Sequence, residues 1–163
     1  MTHQEWRRDK HVISTDPKLL DLTRIHENLS KLYWCEGIPF ETVKKACAGS
    51  LCFGVYENDS QVSAQIGSAN LKQVGLARVI TDTATFAYLC DVYIEEPSKA
   101  QGLSKWLMSC IQSHPQLQGL RRFCLATRDA HGLYRQFGFE VTSAPERWME
   151  IVDKDVYKRV SQS

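Results

Sequence analysis

Apolar residues recur along this chain with two periods, and the switches between them mark out helices and strands. Leu22, Ile25, Leu29 and Leu32 fall on one helical stripe. Asp16 followed by Pro17 predicts the N-cap and first position of that helix. Tyr33-Trp34 closes it, and Gly37-Ile38-Pro39 breaks the chain. Residues 40–48 read as a second short helix, with Gly49 as its stop. Strand patterns follow at residues 51–57, 74–81 and 86–94, separated by turn-forming clusters, after a short extended start at residues 11–14. Residues 102–114 carry the clearest helical stripe, through Leu103, Trp106, Leu107, Cys110 and Ile111, and Pro115 ends it. Residues 122–127 read as a strand. Residues 129–137 read as a short helix with Ala130, Leu133, Tyr134 and Phe137 on one side, stopped by Gly138. Residues 139–141 and 147–152 read as closing strands.

The resulting order, βααβββαβαββ, predicts an α/β or α+β layered fold with a mixed sheet, as one domain over residues 1–163. Gln61-Val62 recurs as Gln73-Val74. The Ser-, Ala-, Gly- and Gln-rich residues 63–72 between them look like an insertion in a β-hairpin, which surface loops accept at low cost. A net charge of +1 supplies no global drive toward nucleic acid or an anionic membrane. The polar first residues lack the apolar core of a secretory signal, and no run approaches the roughly 20 apolar residues of a membrane span. The expectation is a cytoplasmic protein with neither a membrane nor a nucleic-acid partner. Cys35, Cys47, Cys52, Cys90, Cys110 and Cys124 form no CxxC pair and do not cluster with His, so no metal site is expected. Their apolar neighbours suit reduced thiols acting as small hydrophobes.

Candidate chemistry sits in the run from Asp91 to Lys105, where a buried strand gives way to a short polar loop and then a helix. Unpaired N–H groups at a helix start, with the dipole's roughly half positive charge, favour an anion. Ala100, Gly102 and Ser104 are small enough for a phosphate to approach the backbone, and Lys99 and Lys105 add charge. A helix cap with two solvated lysines has the same pattern. The loop is neither GxGxxG nor a P-loop.

The same run resembles the central motif of the GNAT acetyltransferases: a strand of the type Asp-Leu-Tyr-Val, an acidic-Pro loop, then Arg/Gln-x-x-Gly-x-Gly/Ala. Residues 99–104 occupy the six loop positions, with Lys99, Ala100 and Ser104 departing conservatively. Residues 127–139 resemble the family's Asn-x-x-Ala-x-x-Leu-Tyr-x-x-x-Gly-Phe, with Thr127 in place of Asn.

The resemblance implies a mixed, mostly antiparallel sheet of about six or seven strands with helices on both faces. It implies acetyl-CoA as donor in a cleft between the strands at residues 86–94 and 122–127. Val92, Tyr93 and Ile94 would face the pantetheine arm, as in strand addition. Lys99, Ala100, Gln101, Gly102, Leu103, Ser104 and Lys105 would hold the pyrophosphate, and Thr127 a pantetheine amide. Tyr134 matches the family's proton donor to the departing thiolate, and the same Tyr also suits a core aromatic. Asp91 matches a family carboxylate on the acceptor side, and it also suits pairing with a nearby Arg. Tyr33, Trp34 and Phe40 lie where the family shapes its acceptor pocket. The implied activity is acetyl transfer to a primary amine of a small molecule or protein, by a monomer or homodimer. A non-catalytic acyl-CoA sensor or an interaction module on the same fold is the alternative.

Overall fold

The computed structural model describes residues 2–58 and 70–160. Six strands form one sheet in chain order: β1 (Glu5–Arg8), β2 (His11–Ser14), β3 (Leu51–Asn58), β4 (Leu71–Thr81), β5 (Phe86–Ile94) and β6 (Arg122–Leu125). Every neighbouring pair is antiparallel except β5 and β6, which run parallel. The helices are α1 (Leu22–Leu29), α2 (Phe40–Ala48), α3 (Leu103–Ser113), α4 (His131–Arg135) and α5 (Val156–Val160). This is the mixed, mostly antiparallel sheet with helices on both faces that the resemblance implies.

Strand alternation sends side chains to two separate cores. Phe53, Val55, Ala77, Val79, Ala87 and Leu89 meet Leu103, Leu107, Met108 and Ile111 of α3 on one face. Cys52, Leu76 and Tyr93 meet Ile25 and Leu29 of α1 and Val43 and Cys47 of α2 on the other. Each fully buried Leu, Ile or Phe contributes roughly 1.5–3 kcal/mol, so both faces hold the sheet. Tyr157 of α5 packs on the second core.

Four expectations are corrected. The strand β1 is an addition: only Trp6 of its alternating residues packs inward, on Phe53 at 6.0 Å. Asp16 caps only a 3₁₀ turn, Pro17–Leu19, and α1 starts five residues later with Asp21 as its cap, accepting from the Arg24 N–H at 3.0 Å. The stripe continues to Leu32, but the regular helix stops at Leu29. The two closing strands do not form. Residues 139–141 and 147–152 have no sheet partner among the described residues, and Pro145–Arg147 is a 3₁₀ turn instead. The alternation is present, yet no strand among the described residues pairs with it. The expected insertion at residues 63–72 lies outside the described residues up to residue 69, and its end belongs to β4.

Candidate active site

Strand β5 changes its register against β4 between Leu76 and Arg78, where Ala77 stands opposite both Asp91 and Val92. Asp91 takes the extra position with φ 52°, a left-handed conformation that Asp tolerates better than most residues. Such a bulge re-aims a side chain. Here the Asp91 carboxylate accepts from Arg78 Nε at 2.7 Å and from the Trp34 indole N–H at 3.3 Å. Arg78 also donates to Ser50 Oγ at 3.0 Å. Asp91 is therefore held by an arginine one strand position past the bulge, the second of its two sequence-based readings.

Trp34 meets Tyr33 edge to face at 4.9 Å, and the Arg128 guanidinium lies 3.9 Å from the Tyr33 ring centre. Tyr33, Trp34, Asp91 and Arg128 thus form one cluster. Phe40 does not join it. Phe40 packs against His26 at 5.7 Å and lines a separate shallow depression with Ile38 and Val160.

Past Leu89 and Leu125 the parallel pairing of β5 and β6 stops. The edge of β5 at Val92, Tyr93 and Ile94 that faces β6 has no strand beside it among the described residues. The end of β5 is fixed from the other side. Glu95 accepts from Arg24 at 2.7 and 2.6 Å and from Asn28 at 2.9 Å, tying the strand end to α1. Burial opposes the Glu95 charge, but these donors outweigh it and hold the carboxyl below its usual range.

The loop after β5 contains the 3₁₀ turn Glu96–Ser98, then Lys99 to Gly102. Ala100 (φ 63°) and Gly102 (φ 71°) are both left-handed, and no side chain caps α3. The first helical bond is from the Trp106 N–H to the Gly102 carbonyl at 3.1 Å, so the earlier N–H groups of α3 have no helical acceptor. Left-handed residues beside N–H groups without a helical acceptor are the backbone features that suit an anion. Lys99 pairs with Glu96, and exposed Lys105 has no ion pair among the described residues. Sequence reasoning missed one cation. Arg8 of β1 donates to the Gln101 carbonyl at 3.1 Å and stacks on Trp106 at 4.7 Å. The only prior signal was a charged, alternating tetrapeptide at residues 5–8.

Tyr134 is 9% exposed, within the first core and 6.0 Å from Phe139. No group among the described residues hydrogen-bonds its hydroxyl. Burial, then the Asp129 charge, raises its pKa, so it carries its proton at neutral pH. Thr127 Oγ1 accepts from the Ala130 N–H at 3.0 Å, ordering the entry to α4 while its own O–H stays available to donate. Both residues line a groove of about 920 Å³ along β6.

The family model described as an acetyltransferase (GNAT) domain matches residues 43–153, more than half of the chain. The chain belongs to the GNAT acetyltransferase family. It is 35% identical over 142 residues to a candidate acetyltransferase of Gibberella zeae, covering 80% of this chain and 79% of that one. A crystal structure of a candidate GNAT acetyltransferase from Xanthomonas campestris superposes with a TM-score of 0.79 at 43% identity. That match covers 90% of this chain and 96% of the other. A Clostridium acetobutylicum protein solved with acetyl-CoA has a TM-score of 0.55 at 14% identity, covering 93% and 95%, a likeness of fold. The protein is thus an acyltransferase of a family that uses acetyl-CoA. The described residues of this GNAT acetyltransferase contain no His, Cys, Asp and Glu cluster able to hold a metal.

Proposed function

We propose that this GNAT acetyltransferase binds acetyl-CoA along β5 and at the start of α3, and passes the acetyl group to a primary amine. The observation that carries this is the union of two unpartnered backbone surfaces: the free edge of Val92, Tyr93 and Ile94, and the uncapped N–H groups from Gly102 to Lys105. One fits an amide-bearing arm that pairs as a strand does, and the other fits a diphosphate. Residues 99–105 and Arg8 hold the phosphates, and Thr127 donates to the arm. Bound there, acetyl-CoA supplies an activated thioester: a C–N bond forms to the amine, the C–S bond breaks, and a thiolate is left needing a proton.

Tyr134 holds that proton at its hydroxyl, kept there by burial. The N–H groups on the free edge of β5 polarise a carbonyl placed against them, worth roughly 3–4 kcal/mol for one such donor in other enzymes. An amine of lysine-like pKa is only about one part in 10³ neutral at pH 7, so the acceptor sheds one proton to water before it attacks, and the proton its nitrogen loses as the amide forms replaces the one that Tyr134 gives to the thiolate. Asp91, committed to Arg78, orders the acceptor wall with Tyr33 and Trp34 rather than taking the amine proton. Phe40 lies outside that wall. Six free thiols suit a reducing compartment such as the cytoplasm.

The test is thermal shift followed by turnover. Acetyl-CoA raises the melting temperature of the wild type, and Gly102→Glu abolishes the rise by setting bulk and negative charge at the start of α3. Tyr134→Phe keeps the shift and loses at least about 10²-fold in kcat at neutral pH with an amine acceptor. An unchanged shift in Gly102→Glu removes the start of α3 as the phosphate site. Unchanged kcat in Tyr134→Phe removes the proton donor.

A further inference from the structure

The chain between α1 and α2 reaches both strands where the pairing of β5 and β6 stops. Trp34 donates to Asp91 of β5 at 3.3 Å and meets Tyr33 edge to face at 4.9 Å. The Tyr33 ring in turn lies under the guanidinium of Arg128, 3.9 Å from the ring centre. Arg128 stands three residues past the end of β6, and Asp91 immediately precedes the free edge that starts at Val92. One continuous set of contacts therefore runs from β5 across to the segment after β6.

The charges in this set are unevenly committed. Both Asp91 oxygens are engaged, Oδ2 by Arg78 at 2.7 Å and Oδ1 by Trp34. One face of the Tyr33 ring already receives a cation. Arg128 is the exception. Its side chain is 67% exposed, and its one ion pair among the described residues is with the adjacent Asp129, 74% exposed, at 4.0 Å. A pair so exposed and so long holds the guanidinium weakly. Stacking on Tyr33 is the stronger constraint: it fixes the plane of the guanidinium and leaves the N–H groups on its edge to bind. None of those N–H groups donates a hydrogen bond to the described residues.

Resting on the acetyl-transfer reading above, we infer that the acceptor is a small primary amine that also carries a carboxylate or phosphate, and that Arg128 binds that anionic group. The flat edge of a guanidinium matches the paired oxygens of either anion, in a way that an ammonium group does not. An acceptor tethered there by its negative end turns its amine toward a thioester held against Val92, Tyr93 and Ile94. A polyamine finds less in the same place, because Asp91 is neutralised by Arg78 and Asp129 is shared with Arg128. Arg128 then sets which amine is accepted. It takes no part in moving the proton.

The test compares acetylation kinetics of the full chain on matched amines. L-amino acids are set against their carboxamides, and phosphoethanolamine against ethanolamine. In at least one pairing the anionic member is expected to have a kcat/KM at least about tenfold higher, carried by KM. Arg128→Gln should cut that ratio about tenfold, and Arg128→Lys should restore only part of it, because a point charge lacks the paired donors. Raising salt from about 0.05 M to about 0.5 M should shrink the ratio in the wild type and not in Arg128→Gln, a response that a purely structural residue does not give. Lys18→Gln removes an exposed cation of the first 3₁₀ turn and is the control that keeps the ratio. The pairing that responds tells carboxylate from phosphate. Equal kcat/KM within every pairing, or a ratio that survives Arg128→Gln, overturns this role of Arg128 and leaves acetyl transfer standing. Turnover with none of the amines removes acetyl transfer itself, and the role of Arg128 with it.

Discussion

Arg78→Met is the substitution whose cost follows most directly from the structure. The Arg78 and Asp91 side chains are 15% and 12% exposed and pair at 2.7 Å. Removing Arg78 leaves a mostly buried carboxylate with one donor, the Trp34 indole at 3.3 Å. Breaking a buried ion pair from one side costs roughly 3–5 kcal/mol. Residual exposure lets water reach both groups and sets this case near the lower end, about 3 kcal/mol. At this chain length each kcal/mol lowers the melting temperature by roughly 2–4 °C, so a drop of about 6–12 °C is expected. Asp91→Asn isolates the charge, because Asn also accepts the left-handed conformation at φ 52°. The double variant Arg78→Met/Asp91→Asn removes both charges and is expected within about 1.5 kcal/mol of the wild type. Urea unfolding of the four proteins closes the cycle. An Arg78→Met loss below about 1 kcal/mol, or a double variant equal to the sum of the singles, would refute the pairing as a structural element. Turnover in the same set addresses chemistry. Asp91→Asn should cost less than about tenfold in kcat, and a loss of 10²-fold or more would put Asp91 in the proton path.

Two further outcomes concern pH and packing. His114 is 3% exposed, and its Nδ1 accepts from the Gln116 N–H at 3.2 Å, so protonation must break that bond. Burial lowers its pKa below the ordinary value near 6.5. The unfolded chain therefore binds the proton more readily, and stability is expected to fall as pH drops below about 6.5 toward the lowered folded value. His114→Asn should flatten the slope of urea midpoints between about pH 7.5 and 5.5, and an unaltered slope would exclude His114 as its source. Gly75→Ala would set a Cβ 2.8 Å from the Tyr93 carbonyl and 2.6 Å from Ile94 Cδ1. A backbone oxygen gives way only if the end of β5 moves, so a loss of about 2–3 kcal/mol is expected, with a smaller thermal shift on adding acetyl-CoA. An intact shift would mean that the end of β5 does not position the donor.

Strong periodicity carried the reading furthest. The stripe of α3 and the apolar run of β5 were legible almost to their ends, because each buries its face in one core. Elements decided by competition were not. Asp16 and Asp21 both precede helical patterns, and the better-placed Asp21 carbonyl and carboxylate won the start of α1. The edge strand β1 is mostly charged, so its alternation looked like a polar leader. Arg78 holds Asp91 from thirteen residues away, through a hairpin register that a bulge shifts. Arg8 reaches the Gln101 carbonyl from 93 residues away. Such distances leave no local trace in composition or spacing. Residues 147–152 failed for a different reason: a strand needs a neighbour, and none of the described residues pairs with them.

The Arg24 and Asn28 grip on Glu95 has a mechanical corollary. It joins the first helix, which leads into the aromatic cluster of Tyr33 and Trp34, to the strand that would carry the donor. Displacing α1 to admit a bulky amine would tug on that strand. The size of an acceptor would then register in the hold on coenzyme A even where the two molecules never meet.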